Sequence, residues 1–162
     1  MANEFDIPVF VHINRGPPPN SPSRPAGCCP EFDASLGNPE SLRLVLEEYP
    51  DLRLVLQHAG FPALDMLGGI DYLGETFALL GDFSTVYVDM TALNAAVPEP
   101  LHAAAVQLFI ERGFGDRIMF GTDNWEAAPI VERYQNFSFL TEEQRTDIFY
   151  GNAARFLRLA EE

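Results

Sequence analysis

The sequence predicts an α/β fold in which four βα units surround a parallel sheet. Three observations carry that expectation. Short apolar runs rich in β-branched residues alternate with stretches of helical period along the whole chain. The runs are apolar at nearly every position rather than at alternate ones, the pattern of strands buried on both faces. Three of the four runs finish with a side chain able to bind a metal: His12, His58 and Asp123.

The first run is Ile7-Pro-Val-Phe-Val-His-Ile13. A Pro/Gly/Ser-rich loop over residues 14–37 follows it, within a single domain spanning 1–162. Asn38-Pro39 then sets a capping residue before a proline at the first helical position. Leu42, Val45, Leu46 and Tyr49 continue at helical spacing until Pro50 stops the helix. Leu52-Arg-Leu-Val-Leu-Gln-His58 is the second run, closed by Ala59-Gly60. Asp65 to Leu80 reads as a second helix, weakened by Gly68, Gly69 and Gly74.

Thr85-Val-Tyr-Val-Asp-Met90 is the third run. The helix after it covers Glu99 to Arg112, with Leu101, Ala105, Leu108 and Phe109 on one face and Gly113 at its end. The fourth run is Arg117-Ile-Met-Phe-Gly-Thr-Asp123. A capping box, Thr141-Glu-Glu-Gln144, opens the last helix, which passes Ile148 and Phe149 towards Leu157. Strand starts near residues 7, 52, 85 and 117 match the length of a βα unit, the long loop widening the first interval.

Composition narrows the function classes. Twenty-four acidic residues face 10 basic ones, a net charge of −14, and every basic residue is an arginine. The absence of lysine excludes a phosphate-loop lysine, a Schiff-base lysine and a carboxylated-lysine metal bridge from this chain. The negative charge argues against nucleic acid as a partner. Cys28 and Cys29 are adjacent, a poor pair for a disulfide, so free thiols in a reducing compartment are expected. No apolar run approaches a membrane span and the first residues do not form a signal peptide, so a cytoplasmic location without a membrane partner is expected.

Pattern alone fits two architectures, half of a (β/α)8 barrel or a small open doubly wound sheet. The polar strand ends favour the barrel, whose sites are built from the ends of several strands. Two imidazoles and a carboxylate suit Zn²⁺ and related ions. His102 has no such position, since it lies on the third helix, where it is solvated or packs against a neighbour.

These residues also resemble a known family, the amidohydrolase-related enzymes that include the aminocarboxymuconate-semialdehyde decarboxylase-like group. Pro8-Val-Phe-Val-His12 resembles its fifth strand, and Leu56-Gln-His-Ala-Gly-Phe-Pro62 its sixth-strand His-x-Gly motif. Val86-Tyr-Val-Asp-Met-Thr-Ala92 is similar to the seventh strand, and Arg117 to Asp123 to the eighth-strand Gly-(Ser/Thr)-Asp motif. Ile148-Phe-Tyr-Gly-Asn-Ala-Ala-Arg-Phe-Leu157 resembles its closing helix. The resemblance implies the C-terminal half of a TIM barrel, with strands equivalent to the fifth to eighth.

It further implies a metal-dependent hydrolase that cleaves a C–N or C–O bond of a small-molecule substrate with metal-activated water. His12 would be a metal ligand, Asp123 a ligand that also handles a proton, and His58 an acid/base or a polariser of the substrate. The implied metal is divalent, with zinc expected. Arg15, Asp89 and Trp125 are candidate substrate contacts. Arg24 shares Arg15's choice between a carboxylate partner and solvent, and Thr91 shares Asp89's choice between lining the site and capping a loop. Asn152 and Arg155 are expected to tie the last helix to the barrel.

The sequence departs from the family at one point: the first-strand His-x-His motif is absent. Non-oxidative decarboxylation by the same family is one alternative to hydrolysis. An inert or split fragment, completed by a missing N-terminal half or by a second copy in a homodimer, is another. A half-barrel is expected to leave two strand edges unpaired and one sheet face in water.

Overall fold

A computed structural model describes residues 2, 4–13, 37–61, 72–91 and 97–159. Four strands, β1 (Val9–His12), β2 (Leu54–Gln57), β3 (Val86–Asp89) and β4 (Ile118–Met119), form one sheet in the order β1-β2-β3-β4. All pairings are parallel, with Val11 opposite Leu56, Leu56 opposite Val88 and Val88 opposite Ile118. Every connection therefore steps the same way across the sheet, and right-handed crossovers then put the connecting helices on one face. A doubly wound sheet reverses direction at a switch point. The sequential order thus decides between the two expected architectures: the sheet is singly wound, as on one side of a (β/α)8 barrel.

The helices are α1 (Arg43–Glu48), α2 (Leu73–Asp82), α3 (Glu99–Glu111), α4 (Ala127–Asn136), α5 (Glu142–Thr146) and α6 (Asn152–Leu157). A short 3-10 turn at Pro39–Leu42 leads into α1, and the Asn38 side chain caps it by accepting from Glu40 N at 2.9 Å. The expected box at Thr141 is present, with Gln144 N donating to Thr141 Oγ1 at 3.1 Å and Thr141 N to Gln144 Oε1 at 3.0 Å. The first part of the helix expected from Asp65 lies outside the described residues. The sequence did not suggest α4.

Two expected helix faces are corrected. On α3 the buried residues are His102, Ala105, Val106 and Phe109, whereas Leu101 is 55% exposed. One residue turns a helix by about 100°, and His102 rather than Leu101 faces α4. On α1 only Leu46 is buried, while Val45 and Tyr49 are exposed. With six residues, α1 offers a single turn to the core.

The strands present alternate residues to two faces. On one, Leu54, Leu56, Val86, Val88 and Ile118 pack against Leu46, Leu79, Leu80, Val106, Phe109, Tyr134 and Ile148 from the helices. On the other, Val55 and Met119 pack on Phe156 of α6, beside Tyr87 and Ala153. Ring centroids of Phe156 lie 5.9 Å from Phe10 and 5.0 Å from Tyr87. The face expected to be bare is therefore partly covered: Phe10 is 52% exposed, but Val55 is fully buried.

One sheet edge is also capped, contrary to expectation. Phe120 N donates to Ile148 O at 2.9 Å, and Asn152 Nδ2 donates to Ile118 O at 2.7 Å and to Gly115 O at 3.0 Å. A π-helical turn at Asp147–Gly151 makes this possible. Asn152 N bonds to Asp147 O five residues back, which releases the Ile148 carbonyl to serve β4. Asn152 thus ties the last helix to the sheet as expected, and Arg155 supports it through a hydrogen bond to Asn152 Oδ1 and an ion pair with Asp147 at 3.1 Å.

Candidate active site

The carboxyl ends of the strands gather the polar residues. His12 ends β1, His58 follows β2 directly, Asp89 ends β3, and Asp123 lies in the turn after β4. Backbone conformation at two of these points is unusual. His58 (φ 66°), Ala59 (φ 52°) and Asp123 (φ 52°) occupy the left-handed region that side chains rarely adopt. Gly60 completes the turn at φ 81°, and nothing larger fits there, because an added Cβ would lie 2.6 Å from Thr76 Oγ1 and 2.8 Å from Tyr72 O.

That turn aims the His58 ring between two partners. Its Nε2 lies 2.9 Å from His12 Nδ1, and the two rings meet edge to face with centroids 4.6 Å apart. Its Nδ1 lies 3.0 Å from Thr91 O and 2.9 Å from Thr91 Oγ1. Asp89 Oδ1 accepts from three donors: His58 N at 3.0 Å, Thr91 N at 3.1 Å and the Thr91 hydroxyl. His58, Asp89 and Thr91 are all buried, whereas His12 keeps an exposed side.

Electrostatics link Asp123 to this group. Loss of hydration lowers the His12 pKa from its ordinary value and the neighbouring His58 lowers it further, while the Asp123 and Asp89 carboxylates act in the opposite sense. Burial pushes the Tyr134 hydroxyl well above its usual range, with the Asp89 carboxylate adding to the rise. A cavity of about 280 Å³ opens beside the cluster, lined by Phe10, Gln57, Asp89, Thr91, Thr122 and Asp123 among others. Gly121 also lines it, and an added Cβ there would collide with Thr91 Cγ2.

Four of the residues singled out from sequence, His12, His58, Asp89 and Asp123, therefore meet at one end of the sheet. Trp125 is 53% exposed and does not line the cavity. Arg15, Arg24, Cys28 and Cys29 lie outside the described residues. His102 is buried against Tyr134 and Phe137, with ring centroids at 4.9 and 5.1 Å, which makes it a packing residue. Phe10, Gln57 and Gly121 were not expected at the site. Phe10 and Gln57 were legible in principle, because they share the strand face that carries His12 and Asp89.

Imidazole nitrogen and carboxylate oxygen are suitable donors for a divalent ion. Their number falls short, since no group of three His, Cys, Asp or Glu residues placed to hold a metal occurs among the described residues. Structural and catalytic zinc sites use at least three protein ligands. No helix of the described residues is long and apolar enough to cross a membrane.

Comparison with known proteins places these features in a family. The amidohydrolase family model matches residues 1–159. A search of curated proteins finds no match. Among solved structures, an uncharacterised TIM-barrel protein from Bordetella bronchiseptica is 23% identical with a TM-score of 0.63, covering 97% of this chain and 47% of that one. A dihydroxybenzoic acid decarboxylase from Polaromonas sp. JS666, with bound manganese and the inhibitor 2-nitroresorcinol, is 18% identical (TM-score 0.60, covering 99% and 52%). The 5-carboxyvanillate decarboxylase of Sphingomonas paucimobilis is 16% identical (TM-score 0.60, covering 98% and 51%). At these identities the likeness shows the fold, and the chain spans about half the length of the structures it matches.

Proposed function

Because the chain belongs to the amidohydrolase family, we propose that it carries part of an active site for non-oxidative decarboxylation of a small hydroxylated aromatic acid. Hydrolysis of a C–N or C–O bond was the first expectation from sequence. Decarboxylation is the better supported of the two, since decarboxylases recur among the structural neighbours. The single observation that carries the assignment is the cluster at the strand ends: His12 hydrogen-bonded to His58, with the Asp123 and Asp89 carboxylates acting on it.

A divalent metal, manganese or zinc, would be held by His12 and Asp123 together with donors that the described residues do not supply. When bound, it would orient the carboxylated substrate and offset its negative charge. The chain's own groups do the rest. Decarboxylation leaves a carbon that must gain a proton where carbon dioxide departs, so a positioned acid is required. Asp123, on the cavity wall, is the group placed to hold and deliver that proton, and His58, with Nε2 facing His12 and Nδ1 facing Thr91, positions His12. The cavity beside them mixes the apolar Phe10 with polar Gln57 and Thr122, surfaces suited to an aromatic ring bearing hydroxyls.

The test is carbon dioxide release from dihydroxybenzoates by the purified protein supplied with Mn²⁺ or Zn²⁺. We expect metal-stimulated turnover that falls by about 10²-fold or more in Asp123→Asn, the usual scale for a lost proton donor, and that also falls in His58→Asn through loss of the contact to His12. Hydrolysis of amides or lactones without carbon dioxide release would overturn the assignment in favour of a hydrolase. No turnover of either substrate class by metal-loaded protein would mean that this chain is catalytically inert.

A further inference from the structure

We propose that Asp89 and Thr91 are positioning residues that lock both site histidines into a single tautomer, with hydrogen on Nδ1 and a bare Nε2. Donors and acceptors around the two rings fix where each hydrogen lies. The Thr91 carbonyl, 3.0 Å from His58 Nδ1, can only accept, so the hydrogen resides on Nδ1. The Thr91 hydroxyl donates its one hydrogen to Asp89 Oδ1, which leaves its lone pairs facing the same Nδ1–H at 2.9 Å. Both oxygens that face Nδ1 are therefore acceptors.

With its hydrogen on Nδ1, the neutral His58 ring has only a lone pair at Nε2. His12 Nδ1, 2.9 Å away, must then be the donor, and the lone pair of the neutral His12 ring lies on Nε2. The order runs from a buried carboxylate through a hydroxyl and two rings to one free nitrogen. Thr91 is held in place from three directions. Its N and its hydroxyl both bond to Asp89, and Gly121 packs so closely on Cγ2 that even a methyl group would not fit.

This assignment bears on the proposed function at one point only, since the free His12 Nε2 is the donor a metal would need. The hydrogen-bond order itself does not depend on that reading. Second-sphere partners of this kind fix the orientation and tautomer of ligating histidines in many metal sites. Here Asp89 and Thr91 act on His12 through His58, without reaching the metal position themselves.

Long-range ¹H–¹⁵N correlation spectra of the histidine side chains test the assignment on the metal-free full chain above neutral pH. Ring nitrogens bearing hydrogen and bare ring nitrogens resonate in separate ranges, so each tautomer reads out directly. We expect His58 and His12 of the wild type to show Nδ1–H and bare Nε2, the form that imidazole disfavours in free solution. Asp89→Ala, which frees the Thr91 segment whose carbonyl accepts from Nδ1, should return His58 to a mixture of tautomers, whereas Thr91→Val and Thr91→Ser keep that carbonyl and should retain Nδ1–H. A wild type with Nε2–H on His58, or an unchanged tautomer in folded Asp89→Ala, would overturn the proposal. If Asp89→Ala does not fold, the wild type, Thr91→Val and Thr91→Ser decide the matter. Because neither metal nor substrate is present, failure here is distinct from failure of the decarboxylase reading.

Discussion

His102 makes a quantitative expectation about acid stability. The ring is fully buried between α3 and α4, packs edge to face on Tyr134 and Phe137, and neither ring nitrogen has a hydrogen-bond partner among the described residues. Burial, with the Arg133 guanidinium adding to it, depresses its pKa from 6.5 to about 4. A depressed histidine pKa means that the unfolded chain binds the proton more readily than the folded one. Stability contributed by the neutral ring is therefore complete above the unfolded value, is lost as the pH falls through it, and stops falling near the folded value. A difference of about 2.5 units corresponds to about 3 kcal/mol, of which about 2 kcal/mol is lost by about pH 5. Other groups titrate in the same window, so the useful quantity is the difference between wild type and His102→Leu. Urea unfolding of both proteins at about pH 7.5 and about pH 5 measures it. We expect the variant to gain about 2 kcal/mol relative to wild type on acidification. An equal pH dependence of the two proteins would refute the reasoning, and would mean that His102 charges as easily when folded as when unfolded.

Two further substitutions test how the last helices hold the sheet. Asn152→Ala leaves the Ile118 and Gly115 carbonyls without their side-chain donor, and should cost about 2–4 kcal/mol, lowering Tm by roughly 5–15 °C in a thermal melt. Thr141→Ala removes the capping hydroxyl that accepts from Gln144 N and should cost only about 1 kcal/mol, read from the urea midpoint.

What the sequence disclosed, and what it hid, follows from how local each signal is. The Thr141–Gln144 box and the Asn38 cap are decided within four residues, and both are present. The strand end at His58 was legible because its continuous apolar run marks a buried parallel strand, and the run before His12 has the same signature although Phe10 is exposed in β1. The α4 helix was not, since no side chain caps its start, Pro129 falls in its first turn, and only Ile130 and Tyr134 are buried. The sequence points to Leu101 on the buried face of α3 because it is the more apolar residue. Its neighbour His102 is buried instead, through contacts with α4 and Phe137 that are distant in sequence. The role of Asp89 and Thr91 was equally hidden. It depends on the register that sets Gln57 beside Asp89, and on the turn that swings His58 over β3.

That turn and the hydrogen-bond order at the site are one device. A residue other than glycine at positive φ carries a cost of order 1–3 kcal/mol and persists only where its surroundings over-determine it. His58 and Ala59 are two such residues in succession, and packing of Gly60 against Tyr72 and Thr76 closes the turn behind them. The restraint ahead of them is Asp89, whose Oδ1 accepts from the His58 backbone N at 3.0 Å. The same oxygen accepts from the Thr91 hydroxyl that faces the His58 ring. A single buried carboxylate oxygen thus holds the strained backbone and orders the side chain it carries. An acceptor placed elsewhere could relieve one constraint without the other. At this position, relaxing the backbone of His58 would also turn its ring away from His12.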